Sequence, residues 1–293
     1  MSGESYELYN GLKIPVIGFG TFPNKEVLLE AIPAAVKKGY RLIDTSDNYQ
    51  NEEYVGKAFQ KILREKETDE DILIVTKFSQ PYLTVFFNKV FRQSQKKLYG
   101  DTQRKVDIYL LHWPYPFLWK KQWKRMEKLY TQGKCKAIGV CNFKKRYLEE
   151  LLQICQVKPM IDQFECHPLF QQKETVEFCR ENDIRIMSYS PLARMNKKLI
   201  ENELLVRLAD KYGKSVQQII LRWNIEHEFI PIPASVSKEH INSNFEIFDF
   251  KLTSEEIAQI DELESGMRVR FDPDSRFTTG AKLRFWLCGI FVR

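Results

Sequence analysis

No C-x-x-C pair occurs among the six cysteines, Cys135, Cys141, Cys155, Cys166, Cys179 and Cys288. Spread singly along a 293-residue chain, they form neither a disulfide framework nor a structural zinc set. They point instead to reduced thiols in a cytosol-like, cytoplasmic compartment. No stretch approaches the roughly 20 apolar residues that a membrane helix requires, so no membrane association is expected. Residues 1–9 lack a basic start followed by an apolar run, and no signal peptide is read there. Thirteen glycines and twelve prolines are too few for a collagen repeat, a Pro-rich spacer or a low-complexity linker. Neither sign of charge dominates. Forty-five Lys and Arg against 39 Asp and Glu leave +6, which suits an anionic ligand and argues little for nucleic acid. The basic runs Lys120-Lys121, Lys124-Arg125 and Lys144-Lys145-Arg146 read as solvated helix faces.

What is present is the composition of a globular enzyme, 43% hydrophobic and 29% charged. A chain of this length buries about three quarters of its unfolded surface and needs no staples. Short β-branched runs at 16–19, 41–44, 72–76, 106–111, 136–140, 160–164, 185–188 and 229–232 alternate with amphipathic runs. Val27, Ala31 and Ala35 repeat at four-residue spacing, and Gly39 supplies the helix end. Residues 149–155, 175–181 and 203–212 read as helices too, the last ending at Gly213. Strands separated by helices pair in parallel through crossovers. Eight such units of roughly 30 residues fill the chain as one domain over 1–293, an α/β single (β/α)8 TIM barrel. A doubly wound open sheet is the competitor. Its glycine-rich turn needs three glycines, and Gly18-Phe19-Gly20-Thr21-Phe22 offers two.

A barrel carries its chemistry just past the C-terminal ends of its strands. Asp44, Lys77 and His112 each close a strand run, and Tyr49 lies five residues past Asp44. Taken singly, these are a helix cap, a solvated lysine, a packing histidine and a loop tyrosine. Together at successive strand ends they suit carbonyl reduction. Hydride delivery to a carbonyl carbon builds negative charge on oxygen, which must receive a proton. A phenol has a reference pKa near 10. An adjacent ammonium is expected to bring it toward the working pH, with Asp44 keeping Lys77 charged. The His112 imidazole can donate to the carbonyl oxygen, and the hydride has to come from a nicotinamide.

Asp44-Thr45-Ser46-x-x-Tyr49-x-Asn51-Glu52, Val75-Thr76-Lys77 and Leu111-His112-Trp113-Pro114 follow one another in order. Ile138-Gly139-Val140-Cys141-Asn142-Phe143, Gln163 and Ser188-Tyr189-Ser190-Pro191-Leu192 come next. This series, over about residues 10–274, resembles the aldo-keto reductase family, in particular its bacterial aldehyde and 2,5-diketo-gluconate reductase-like members. The resemblance implies Tyr49 as proton donor, supported by Asp44, Lys77 and His112. It implies that Asn142 and Gln163 bind the nicotinamide carboxamide, that Tyr189 stacks on the ring, and that Gly20, Thr21, Asp44 and Cys141 border the cofactor. Ser190, Pro191, Leu192, Ser235 and Asn244 would hold pyrophosphate and adenosine. Phe22, Trp113 and Phe78 would line the substrate pocket, and no metal is implied.

The chain departs from that family at three places. Cys141 stands where a serine is usual. Ala234 and His240 replace the lysine and arginine that grip the 2′-phosphate of NADPH, leaving Lys238 as the nearest cation. Losing two charge-assisted contacts of about 1.5–3 kcal/mol each implies dual or NADH-leaning cofactor use. Residues 79–104, expected to form the third helix, resemble the family less than the strands around them do. The helix after His112 is expected to start by Lys121, which leaves a short loop and an open mouth. The apolar tail, residues 275–293, is expected either to pack across the barrel mouth or to meet a second subunit; a monomer acting on a small carbonyl compound is the simpler expectation. Tyr9-x-x-x-Lys13 and Tyr130-x-x-x-Lys134 match a short-chain dehydrogenase spacing, but Gly11 and Gly133 interrupt the helix that spacing needs. Cys166-His167 has no third metal ligand at suitable spacing. Two rival functions share the fold. One is a non-catalytic nicotinamide-nucleotide sensor regulating a partner, for which a tuned acid at Tyr49 would be superfluous. The other is an isomerase, which would leave Asn142, Gln163 and Tyr189 unexplained.

Overall fold

Eight parallel strands run in the order of the chain: β1 (Phe19–Gly20), β2 (Leu42–Asp44), β3 (Leu73–Phe78), β4 (Val106–Leu111), β5 (Cys135–Cys141), β6 (Ile161–Glu165), β7 (Arg185–Tyr189) and β8 (Ile230–Ile232). The computed structural model describes residues 4–65, 71–102 and 104–277, together with Ala281, Arg284 and Leu287. The sheet closes on itself where Gly18 N–H donates to the Pro231 carbonyl (3.0 Å) and Gly20 N–H to the Pro233 carbonyl (2.9 Å). That closure explains the two glycines of the first strand. A Cβ on Gly18 would lie 2.4 Å from Ile232 Cδ1, and one on Gly20 3.2 Å from Ala234 Cβ. They are there for close strand approach and not for a phosphate turn.

Helices fill the crossovers. Leu28–Lys38, Glu52–Glu65, Phe87–Tyr99, Trp119–Thr131, Lys145–Ile154 and Lys173–Glu181 follow β1 to β6 in turn. Lys197–Ile200, Glu203–Tyr212 and Val216–Glu226 follow β7, and Lys238–Phe245 and Ser254–Asp261 follow β8. Gly39 (φ 128°) and Gly213 (φ 62°) end their helices in the positive-φ conformations that glycine tolerates best.

The two-residue period of each strand decides which side chains meet. Leu42, Leu73, Val75, Ile108, Leu110, Ala137, Ile161, Met187, Ile230 and Ile232 form one buried cluster inside the barrel. Their neighbours Ile43, Ile74, Tyr109, Leu111, Ile138 and Val140 belong to a second cluster, with the helices. An antiparallel hairpin, Ser5–Glu7 with Lys13–Pro15, adds Leu8 and Ile14 to the inner cluster and so packs one end of the barrel. The inward series continues past the apolar layer into Asp44 on β2, Lys77 on β3 and Gln163 on β6.

The strand runs read from the sequence end within two residues of the observed ones, 106–111 without any difference, except the first, where 16–19 becomes Phe19–Gly20. The third helix is preceded by a 3₁₀ segment, Pro81–Phe86, in which Thr84 Oγ1 donates to the Pro81 carbonyl (2.6 Å). The next helix begins at Trp119, two residues before Lys121. The choice between cover and contact for the 275–293 tail lies largely outside the described residues. Within them, Phe277 and Ala281 pack against the outer core, and Leu287 is 46% exposed.

Candidate active site

Lys77 is fully buried near the end of β3, and its ammonium has three partners. It donates to Asp44 Oδ1, Asp44 Oδ2 and the Thr45 carbonyl, each at 2.8 Å. Burial pulls the ammonium toward its neutral form, but the Asp44 carboxylate and the Tyr49 phenol more than offset that and hold it above the ordinary lysine value. Tyr49 sits on a one-turn 3₁₀ segment, Asp47–Tyr49, capped by the Ser46 hydroxyl. Lys77 Nζ lies 5.0 Å from the centre of the Tyr49 ring.

The Tyr49 phenol does not shift toward neutrality as expected. Burial pushes it up to about 12; Lys77 pulls it down, but less strongly than the buried surroundings raise it. The phenol therefore stays protonated at any physiological pH.

His112 follows β4, with its ring 5.8 Å from that of Tyr49. Its Nδ1 is bonded to the hydroxyls of Ser46 (3.1 Å) and Ser79, which also bond each other at 2.8 Å. Burial, then the charges of Lys77, Arg276 and Arg270, hold its pKa well below 6.5, so the imidazole is neutral.

These groups stand at the head of a cleft of about 810 Å³, within the ordinary range of ligand sites. Tyr49, His112, Asp44, Gly20, Thr21, Phe22 and Trp113 line it, together with Asn142, Tyr189, Ser190, Pro191, Leu192, Ser235, His240 and Asn244. Asn142 (φ 65°) and Ser190 (φ 48°) turn the chain sharply after β5 and β7 in left-handed conformations, the kind of local strain that gathers at ligand-holding loops. The amide of Asn244 is nearly buried on the wall and has no hydrogen-bond partner among the described residues, a polar group free for a ligand. The cleft thus fits a dinucleotide on size and on polar lining.

Five expected site residues are not on that wall: Lys77, bonded to Asp44 as described, and four others. Gln163 is inward-facing on β6, and its Nε2 donates to Asp44 Oδ1 at 2.8 Å instead of facing the cleft. Cys141 is buried beside it, with Asn142 Nδ2 donating to its sulfur (3.2 Å). Phe78 follows the inward Lys77, so alternation turns it outward, and its ring packs on Phe87 at 4.4 Å. Lys238 is exposed on the helix after β8 and does not reach the wall. Asn142 is on the wall, yet both ends of its amide are engaged: Nδ2 donates to the His112 carbonyl (3.0 Å), and the Tyr189 hydroxyl donates to Oδ1 (2.6 Å).

Other lining residues carried no sequence signal. Arg194, Met195, Ser215 and Gln217 line the cleft, as do Arg270, Phe271 and Arg276 from the segment after the last helix. Asn51, quoted above only as part of a motif, ties two loops together. It accepts from Thr45 Oγ1 (2.6 Å), and its Nδ2 donates to the Thr21 (3.2 Å) and Asn24 (2.9 Å) carbonyls, fixing the loop that carries Phe22. Of the two decoy tyrosines, Tyr9 donates to the Lys158 carbonyl (2.5 Å) and Tyr130 lies beside Asn10 (3.3 Å). His167 bonds Glu165 at 3.1 Å inside the barrel wall.

Comparison with known proteins agrees with this geometry. The sequence model of the aldo/keto reductase family matches residues 16–265. Glyoxal reductase of Bacillus subtilis (strain 168) is 39% identical over 278 residues, covering 92% of this chain and 96% of its own. Methylglyoxal reductase DkgA of Escherichia coli (strain K12) is 36% identical over 276 residues, covering 92% and 96%. Among solved structures, a Bombyx mori aldo-keto reductase in complex with NADP superposes with a TM-score of 0.86 at 29% identity, covering 94% of this chain and 97% of that one. The chain belongs to the aldo/keto reductase family, whose enzymes reduce aldehydes and ketones with NAD(P)H.

Proposed function

We propose that this chain reduces aldehydes or ketones to alcohols with Tyr49 as proton donor and His112 as the group that orients the carbonyl. The observation that carries the reading is the Lys77 ammonium, clamped by Asp44 and set 5.0 Å from the Tyr49 ring at the head of the cleft. When bound, the reduced nicotinamide supplies the hydride.

The protein's own residues handle the proton and the developing charge. With the Ser79 hydroxyl donating into Nδ1 and the Ser46 hydroxyl into Ser79, the His112 proton resides on Nε2, the atom left to donate to a carbonyl oxygen. A neutral imidazole there orients the substrate without adding charge to a site already next to Lys77. Tyr49 keeps its proton until the carbonyl oxygen becomes basic. Only as that proton leaves does the phenolate gain the attraction of Lys77, so the ammonium stabilises the transition state more than the ground state. Gln163 acts on Asp44, holding the carboxylate toward Lys77. Asn142, Tyr189, Ser190, Pro191, Leu192, Ser235 and Asn244 are the residues that would hold the cofactor.

The names of the relatives favour an enzyme over a nucleotide sensor, and glyoxal and methylglyoxal are the natural first substrates to try. A monomer acting on a small carbonyl compound is the proposed working unit. Among the described residues no helix is long and apolar enough to cross a membrane. The thiols of Cys135, Cys141, Cys155, Cys166 and Cys179 are free, which supports a cytoplasmic location. The test is direct: the purified chain mixed with glyoxal and NADPH or NADH should consume reduced cofactor in equal measure with alcohol formed. No consumption with either cofactor, across glyoxal, methylglyoxal and butanal, would overturn the reading.

A further inference from the structure

The segment Arg268-Val269-Arg270-Phe271-Asp272-Pro273-Asp274-Ser275-Arg276 sorts its charges by direction. Buried Glu165, at the end of β6, accepts from the backbone N–H groups of Val269 (2.6 Å) and Arg270 (3.0 Å) and pins the segment to the barrel. Its two acids are neutralised by other partners: Lys144 pairs with Asp272 (2.9 Å) and Asp274 (2.7 Å), and Asp274 also accepts from Tyr147 (3.0 Å) and pairs with Arg146. Arg270 and Arg276 are left on the cleft wall.

Neither arginine has an acidic partner among the described residues. Arg276 Nε is buried without a hydrogen bond, and the groups that bear on this guanidinium are the neutral Tyr115, Tyr189 and Cys141 and the like charge of Arg270, none of them a carboxylate. One aromatic ring separates each guanidinium from the reacting pair. Arg270 lies 5.3 Å from the Phe22 ring, which is 4.9 Å from Tyr49. Arg276 lies 4.2 Å from the Trp113 ring, which stacks 6.0 Å from His112. Asp44, beside the reacting groups, is already matched by Lys77; Asp47 accepts from the Ser79 N–H and is pushed toward its neutral form by burial; and Glu239 lines the cleft from the helix after β8. The substrate end therefore holds two cations in excess.

We propose that Arg270 and Arg276 select carbonyl compounds carrying a carboxylate or phosphate group a few bonds from the reacting carbon. Guanidinium forks match the paired oxygens of both groups and are weakly hydrated, so they form strong charge-assisted contacts in a half-buried wall. The anionic group is untouched by the reaction; it is the handle by which the substrate is held. This inference rests on the assignment of Tyr49 and His112 as the reacting end of the cleft.

The test compares matched pairs, succinic semialdehyde with butanal and glyceraldehyde 3-phosphate with glyceraldehyde, as ratios of kcat/KM. In the native chain at least one ratio should exceed about ten, and the larger ratio identifies the anion. That ratio should fall by about 10- to 100-fold in R270M/R276M, the scale of a charge-assisted hydrogen bond. R270M alone, which leaves the Arg276–Trp113 contact in place, should show part of the fall and serves if the double variant fails to fold. A purely structural role for the arginines would lower turnover of both members of a pair and leave the ratio unmoved. Native ratios all below ten, or a ratio unchanged in R270M and in any folded double variant, overturn the proposal. Turnover of butanal by the native chain reads the reductase assignment separately, so the two ideas fail in different measurements.

Discussion

Replacing Lys77 with methionine keeps the length of the side chain and removes its charge, and the structure sets the size of two effects. The ammonium makes three hydrogen bonds of 2.8 Å in a fully buried position. Its loss leaves the Asp44 carboxylate buried with Gln163 as its remaining side-chain donor. Breaking a buried pair by removing one partner costs about 3–5 kcal/mol. At roughly 2–4 °C per kcal/mol for a domain of this class, Tm should fall by about 6–20 °C. The second effect is on the phenol. A unit charge 5.0 Å from the Tyr49 ring is worth about 3 kcal/mol at an effective dielectric constant near 20, or about two pKa units. That attraction is realised only as Tyr49 gives up its proton, so kcat for aldehyde reduction should drop by about 100-fold. KM for the cofactor should hardly move, because Lys77 is not on the cleft wall. Steady-state kinetics with glyoxal on folded Lys77→Met, beside a thermal melt, measures both. A variant with native kcat, or one whose loss lies wholly in cofactor KM, refutes the reasoning.

Three further outcomes follow from the same structure. Asp47 is pushed up to about 7 by burial and then by Glu52. Its native pKa lies above the unfolded value near 3.9, so stability declines as pH rises from about 4 through about 7. Melts of Asp47→Asn should match the native chain at pH 4 and exceed it at pH 8; an unchanged difference across that range would contradict the assignment. Gly56 lets the helix Glu52–Glu65 approach Phe87–Tyr99, and a Cβ there would stand 2.0 Å from the Lys97 carbonyl oxygen. Gly56→Ala should therefore cost about 1–3 kcal/mol in denaturant titrations, and a neutral result would mean the helices yield. Ala234 and His240 line the cleft while Lys238 does not, so the kcat/KM values for NADH and NADPH should lie within a hundredfold of each other. A larger preference for NADPH would show that another cation, with Arg194 the first to test, grips the 2′-phosphate.

Strand alternation explains what the sequence disclosed and what it hid. Asp44, Lys77 and His112 stand out because each follows an apolar run directly, and Tyr49 because its loop is short. The same alternation excludes Phe78 from the pocket, since the residue after an inward lysine must point outward. The engagement of Gln163 with Asp44 joins positions 119 apart, and the Tyr189–Asn142 bond joins positions 47 apart. No local pattern reports such contacts. Arg270 and Arg276 reach the cleft from a segment whose backbone Glu165 holds, a tertiary contact that residue type alone does not announce. The Tyr49 pKa departs from the sequence expectation for a related reason: proximity of a lysine is legible in a motif, whereas the depth of burial that outweighs it is not.

The central claim is that the phenol of Tyr49 transfers the proton. It is tested most directly by Tyr49→Phe, with turnover of glyoxal and cofactor binding measured side by side, the latter by quenching of Trp113 and the other tryptophans. The account predicts a fall in kcat of at least about 1000-fold with NADPH or NADH affinity within a fewfold of native. Turnover surviving within tenfold of the native enzyme would contradict it.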